Sequence, residues 1–194
     1  MAISLFLAPL LFALLALLLP AGRARHWLVP LGAAVHLGLV VAALRSEAEV
    51  SAFGRWRVLD QLGRVVLPLV SSLFFACALY VPAYLSLRPE RQSRVFCGAL
   101  LAFLSMMTLI TESHHLGLMW VALEANTLVS APLLYFNHNK RSLEATWKYL
   151  LIGAVGIALA LLGSFFLAYS ALYAGREGSL LVDRLVRDGP LLSR

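Results

Sequence analysis

Apolar residues in this chain run on almost unbroken, and short polar clusters separate one run from the next. A transmembrane helix takes about 20 mostly apolar residues, within a range of about 17–25. Six runs meet that requirement, approximately residues 3–19, 27–44, 65–87, 95–111, 115–136 and 145–172. They lack the apolar/polar alternation of a barrel strand, and hydrocarbon offers nothing to backbone polar groups outside helices or closed barrels. The pattern therefore predicts an all-α, polytopic membrane helix bundle over residues 1–173. No Lys or Arg precedes the first run, which is longer than the roughly 7–15 residues of a signal-peptide core, so it is expected to remain as a helix. The last run is long enough to tilt or to extend past the bilayer.

The polar clusters are short except in two places. Between the second and third runs, RSEAEVSAFGRWRVLDQLGR has an amphipathic second half, in which Trp56 is expected to anchor at the interface. Residues 174–194 set Leu180, Leu181, Leu185 and Val186 against Asp183, Arg184, Arg187 and Asp188. Two readings of that tail stay open, an amphipathic helix lying at the interface and a frayed, disordered terminus.

Composition agrees with the pattern. The chain is 61% apolar and 13% charged, against roughly 45–50% and 25% in soluble domains, and its mean hydropathy is +0.83. The net charge of +6 does not point to nucleic acid, because the arginines sit in connections between apolar runs, without a basic stripe carrying interleaved aromatics. They read as topology signals instead. One side carries Arg23, Arg25, Arg88, Arg91, Arg94, Lys140 and Arg141 against Glu90 and Glu144, all in short turns. The other carries eight basic residues (Arg45, Arg55, Arg57, Arg64, Arg176, Arg184, Arg187, Arg194) diluted by seven acids (Glu47, Glu49, Asp60, Glu112, Glu177, Asp183, Asp188). Short loops weigh most in setting orientation. The first side is therefore expected to be cytoplasmic, with both termini on the other.

Cys77 and Cys97 stand alone inside apolar runs and read as small apolar residues. No CxxC, HExxH, GxSxG or phosphate-binding loop is present, so no metal site and no catalytic residue is assigned.

Candidate chemistry begins with Glu124, about ten residues and so about 15 Å from either end of its run. A carboxylate at that depth is costly, on the order of 2.5–3.5 kcal/mol on insertion scales, and such groups usually face a bundle interior or an ion path. Thr127 and Ser130 follow it up one side of the helix, with Asn126 spaced to bond Ser130 at i+4. Pro132 is expected to free the carbonyl of Leu128, giving this helix a kink or an extra polar acceptor. Lys148 lies only a few residues inside the next run. Its readings stay open: a group that snorkels to the interface, the partner of Glu144 at i−4, or a cation close enough to tune a membrane carboxylate. His36 is mid-span, a neutral contact or a proton-relay member. His114 and His115, with Glu112, form either a proton-uptake cluster or solvated helix ends, and the second is expected. A two-helix haem is disfavoured, because no second mid-span histidine is available to pair with His36. Gly153, Gly156, Ala160, Gly163 and Ser164 give the sixth run a small-residue surface for close helix packing.

LGLMWVALEANTLVSAPLLYF, a short basic turn and RSLEATWKYLLIGAVGIALALLG together resemble the antiporter-like membrane subunits of complex I and of membrane-bound hydrogenases, most closely the hydrogenase-4 component F type. The W-x-x-L-E core (Trp120–Glu124) and the E-A-x-W-K-Y core (Glu144–Tyr149) carry the likeness. The resemblance implies that Glu124 and Lys148 are the acidic residue of the fifth helix and the lysine of the sixth in a hydrated proton path. It also implies a fold built on two inverted repeats, of which six helices would reach only into the first. From this follow the expectations of a non-catalytic subunit of an oxidoreductase complex, without a cofactor of its own, in a bacterial-type inner membrane. Partner membrane subunits are expected to include a chain with the missing helices. The alternatives are a truncated scaffold that moves no ions and a small quinone or haem membrane protein.

Overall fold

The computed structural model describes residues 2–19, 23–46, 51–52, 56–87, 93–173, 175 and 178–192. Arg88, Glu90 and Arg91 of one basic turn lie outside them, as do Glu47, Glu49, Arg55, Arg176, Glu177 and Arg194. The side chains of Arg23 and Asp188 are likewise outside the description.

The chain folds as helices α1 (Ala2–Leu18), α2 (Arg23–Arg45), α3 (Gln61–Ser86), α4 (Ser93–Glu112), α5 (Leu116–Leu134), α6 (Lys140–Tyr173) and α7 (Val182–Leu192). Two-residue strands β1 (Ser51–Ala52) and β2 (Arg57–Val58) form an antiparallel hairpin between α2 and α3. Helices α2 to α6 are long and apolar enough to cross a membrane. Helix α1, at 17 residues, is the short apolar member and sits at the lower limit of a span. The protein is a polytopic all-α membrane bundle.

Helices α1 to α4 form a closed group. Helix α1 lies on α4, and α2 packs on α3 and α1. Their shared core joins Ala13 and Ala16 to Val29, Ala33, Ala78, Leu85 and Leu101. Small residues set the spacing. A Cβ at Gly98 would come within 2.8 Å of Leu17, and one at Gly32 within 3.1 Å of Phe12, so these glycines let side chains of α1 settle closely against α4 and α2. The last carbonyls of α1 have no intrahelical donors. Arg25 supplies one from Nη2 to Leu19 O at 2.7 Å, and Arg94 Nε donates to Leu17 O. Basic side chains of two turns thus complement the negative end of α1.

The other end of the bundle is clipped by a small ladder. Arg57 bridges to Ser113, and His115 bridges to Leu181. His114 N–H donates to Trp56 O at 2.8 Å, and Leu116 N–H to Leu180 O at 3.0 Å. The β-hairpin, the α4–α5 corner and the start of α7 are held together by these bonds. Of the two readings of the tail, the described part, Val182–Leu192, is helical.

Helices α5 and α6 form the open part. Helix α6 packs on α5, on the 3₁₀ turn Tyr135–Asn137 and on α7, and only 6% of its most apolar window is buried. Of the small-residue surface expected on α6, Ser164 is buried, but the glycines are not used for close packing among the described residues. A Cβ at Gly153 would touch only Thr127, at 3.5 Å, and at Gly156 or Gly163 it would meet nothing within 4 Å. Pro132 breaks the helix late rather than in the middle. Helix α5 continues through it to Leu134 and then tightens into the 3₁₀ turn.

Candidate functional site

His115 starts α5. Its Nδ1 accepts the N–H of Gly117 at 3.1 Å, and its ring stacks on Trp56 at 4.4 Å between centroids. Nine residues on, about 13.5 Å along the axis, α5 carries Glu124. Its side chain is half-buried, and among the described residues no group bonds its carboxylate. Thr127 Oγ1 donates to Glu124 O at 2.7 Å, and Ser130 Oγ donates to Thr127 O at 2.9 Å. Each hydroxyl has then used its hydrogen within the helix, as Ser and Thr tend to do, and presents an oxygen as acceptor. Tyr149 of α6 fills one, with its OH 2.9 Å from Ser130 Oγ. The i+4 bond expected between Asn126 and Ser130 is absent, because Ser130 is engaged by Thr127 and Tyr149. Asn126 Oδ1 is buried with no hydrogen-bond partner.

The Ser130–Tyr149 and Thr127–Gly153 contacts fix the antiparallel register of α5 and α6, with facing residue numbers summing to about 280. Lys148 then lies level with Ala131 or Pro132, about 10–12 Å along the axis from Glu124 at 1.5 Å per residue. It is 68% exposed, and its Nζ donates to Glu144 Oε1 at 2.5 Å, with Glu144 itself 64% exposed. The structure thus brings Lys148 to Glu144 and Tyr149 to Ser130, while Thr127 and Ser130 follow Glu124 along α5 without bonding its carboxylate.

His36 lies elsewhere, fully buried among α2, α3 and α4. Its Nε2 is 2.9 Å from Thr108 Oγ1, and its Nδ1 is 2.9 Å from Ser71 Oγ. Thr108 donates its own hydrogen to Leu104 O at 2.8 Å, so it accepts from Nε2–H, and Nδ1 accepts from Ser71. His36 is therefore a neutral imidazole joining three helices, and neither ring nitrogen is left for a metal.

Glu112 corrects the expectation of solvated helix ends. It is 0% exposed and paired with Arg57, itself 3% exposed. The Arg57 guanidinium also lies over the Phe6 ring, 5.4 Å from its centroid. Of the same trio, only His114 has the expected polar surroundings, bonding Asp183 Oδ1 of α7 at 2.8 Å. A signal for the buried pair was present in the sequence. Leu101, Ser105, Thr108 and Glu112 fall at helical spacing on one face of α4, so Glu112 continues a buried stripe. Nothing in the spacing of the α2–α3 connection marks Arg57 as its partner, since the contact spans 55 positions.

Together these features define a polytopic helical membrane protein with one mid-span carboxylate that no described group bonds, set apart from the paired His36 and Arg57–Glu112. Residues 113–186 match the family described as NADH:quinone oxidoreductase/Mrp antiporter, transmembrane. This stretch contains Glu124, Glu144 and Lys148. The chain is 35% identical over 124 residues to a hydrogenase-4 component F homolog of Methylacidiphilum infernorum, covering 61% of this chain and 26% of that protein. It is 30% identical over 151 residues to NADH-quinone oxidoreductase subunit N of Alkalilimnicola ehrlichii, covering 73% and 30%. A third relative, NADH-ubiquinone oxidoreductase chain 2 of Varanus nebulosus, is 43% identical over 61 residues, 31% of this chain and 18% of that one. The chain thus spans less than a third of the length of these relatives, and it is related to the antiporter-like membrane proteins of complex I and of membrane-bound hydrogenases.

Proposed function

We propose that the chain serves as a membrane subunit of a complex I-like or hydrogenase-type redox complex, in which Glu124 holds a transferable proton in a mid-membrane path. The observation that carries this reading is a half-buried carboxylate at the centre of a spanning helix, without a protein partner among the described residues and followed by a file of hydroxyls. A carboxylate so placed is stabilised by taking up a proton or by ordered water. The oxygens of Thr127 and Ser130, with the Tyr149 hydroxyl, occupy the interval between the levels of Glu124 and Lys148 and can order that water. In this reading Lys148, pinned by Glu144, is the cationic end of the segment, and a proton passes between the two charges through intermediaries. Asn126 is a further water-ordering group. His36, held neutral by two hydroxyls, and the His114–His115 corner position helices.

The names of the relatives, a component of hydrogenase-4 and subunits of NADH-quinone oxidoreductase, support partners that carry the electron chemistry. This chain then needs no cofactor of its own. Further antiporter-like helices on a partner complete the path, in a bacterial-type inner membrane with the termini on the non-cytoplasmic side. The test is Glu124→Gln in the assembled complex. Redox turnover should persist while proton translocation falls to the level of uncoupled membranes. Undiminished translocation at normal turnover would remove the reading.

One observation favours a scaffold role instead. Lys148 is exposed and satisfied by Glu144 on its own helix, as a lysine at a lipid or protein surface would be. Under that reading, neutralising both Glu124 and Lys148 changes the yield of assembled complex and leaves ion movement per turnover intact.

A further inference from the structure

A cavity of about 370 Å³ opens where the start of α4, the end of α5 and the start of α6 meet. Its walls include Phe96, Leu128, Pro132, Tyr135, His138 and Leu143. Between Leu128 and Tyr135 it follows α5 for about 10 Å, roughly a third of a bilayer's hydrocarbon thickness. The groove is thus shallow, and it lies at the membrane face where the α5–α6 turn emerges. Leu128 and Leu143 are 55% and 45% exposed, so it opens sideways, toward the surroundings of the helices.

Two cations stand above it. Lys140 and Arg141 begin α6, directly after His138 and just before Leu143. Both are exposed, and the first turn of α6 contains no acid. The nearest acid on that helix, Glu144, is taken by Lys148. Among the described residues, two other arginines at this face are already engaged. Arg25 bonds Ser93 and the end of α1, and Arg94 bonds Leu17 O.

From this juxtaposition we infer that the groove binds an anionic phospholipid, with the first part of one acyl chain between α4, α5 and α6 and the headgroup phosphate against Lys140 and Arg141. The apolar depth suits an acyl chain, and the two cations at headgroup level provide the complementary charge. Juxtamembrane cations attract anionic lipids by about fivefold each. A transmembrane helix from a partner subunit would need a groove running through the full hydrocarbon thickness, and this one stops after about two turns of α5. The inference is independent of the proton path, since none of the residues that would touch the lipid is assigned to that path.

The test uses the full chain, with whatever subunits copurify, in vesicles of phosphatidylcholine and phosphatidylglycerol at 3:1. Each lipid in turn carries a trace of an analogue with a photoreactive acyl chain. Phosphatidylglycerol should label peptides containing Phe96, Leu128–Tyr135 and Leu143 at least about fivefold more than phosphatidylcholine does. Lys140→Gln with Arg141→Gln should abolish that excess while leaving labelling of the lipid-facing residues Leu69 and Leu73 on α3 unchanged. Equal labelling by the two lipids would overturn the inference. So would a groove protected from both lipids while α3 is labelled, an outcome that would assign it to a protein partner.

Discussion

The α1–α4 group and the α5–α6 pair meet the same problem, a polar side chain inside a membrane protein, in opposite ways. In the first group, His36 has a hydroxyl on each ring nitrogen and Arg57 is matched by Glu112, so these buried side chains find partners on other elements of the same chain. In the second, Glu124 has no described partner, Lys148 turns outward, and α6 is almost bare. A polar group in hydrocarbon without a partner costs several kcal/mol. The contrast teaches that the first group is complete as a structure, whereas the second takes its completion from water, lipid or another polypeptide.

That comparison can be broken first at the buried ion pair. Arg57→Ala or Glu112→Ala alone should lower stability by about 3–5 kcal/mol, because each leaves an uncompensated charge in the interior. Reversible denaturant unfolding in detergent measures it. Replacing both with leucine should recover most of the loss, since a buried pair is often matched by apolar packing. A double variant as unstable as the singles would mean that the pair does more than satisfy itself.

A smaller effect is expected at His36. His36→Leu removes two hydrogen bonds, and Ser71 can redirect its hydroxyl to its own helix, so the loss should be about 1–3 kcal/mol. If the variant instead abolished ion translocation while unfolding normally, His36 would have to be moved into the proton path.

The smallest effect belongs to the open pair. Lys148→Gln breaks an ion pair whose members are both about two-thirds exposed, and stability should change by no more than about 0.5 kcal/mol. The contrast between the two regions is sharpened if such a silent change in stability accompanies a large change in translocation. It is weakened if Lys148→Gln unfolds the chain, because the lysine would then be part of a packed interior.

Much of the architecture was legible in the sequence because hydrophobic run length is a local property. Each of the six approximate runs corresponds to one of helices α1 to α6, and α7 falls in the tail. Glu124 was legible for the same reason, being a single charge at the centre of a run. The Glu144–Lys148 pair could be anticipated from i,i+4 spacing alone. Glu112 was misjudged because a carboxylate at the end of an apolar run is ordinarily solvated, and only the return of the α2–α3 hairpin over the α4–α5 corner buries it. Asn126 was misjudged on finer grounds, since its expected partner Ser130 is claimed by a tyrosine from the next helix.

By itself the sequence determined the class of protein, the number of its apolar segments and the depth of its one mid-span acid, because these follow from composition and from 1.5 Å of rise per residue. Tertiary structure alone decided which polar groups were satisfied. It paired Arg57 with Glu112 across 55 positions and set His36 between Ser71 and Thr108. It also set the register of α5 against α6, which separates Glu124 from Lys148 by about two helical turns. Such contacts depend on how helices distant in sequence are brought together, and no pattern along a single helix specifies them.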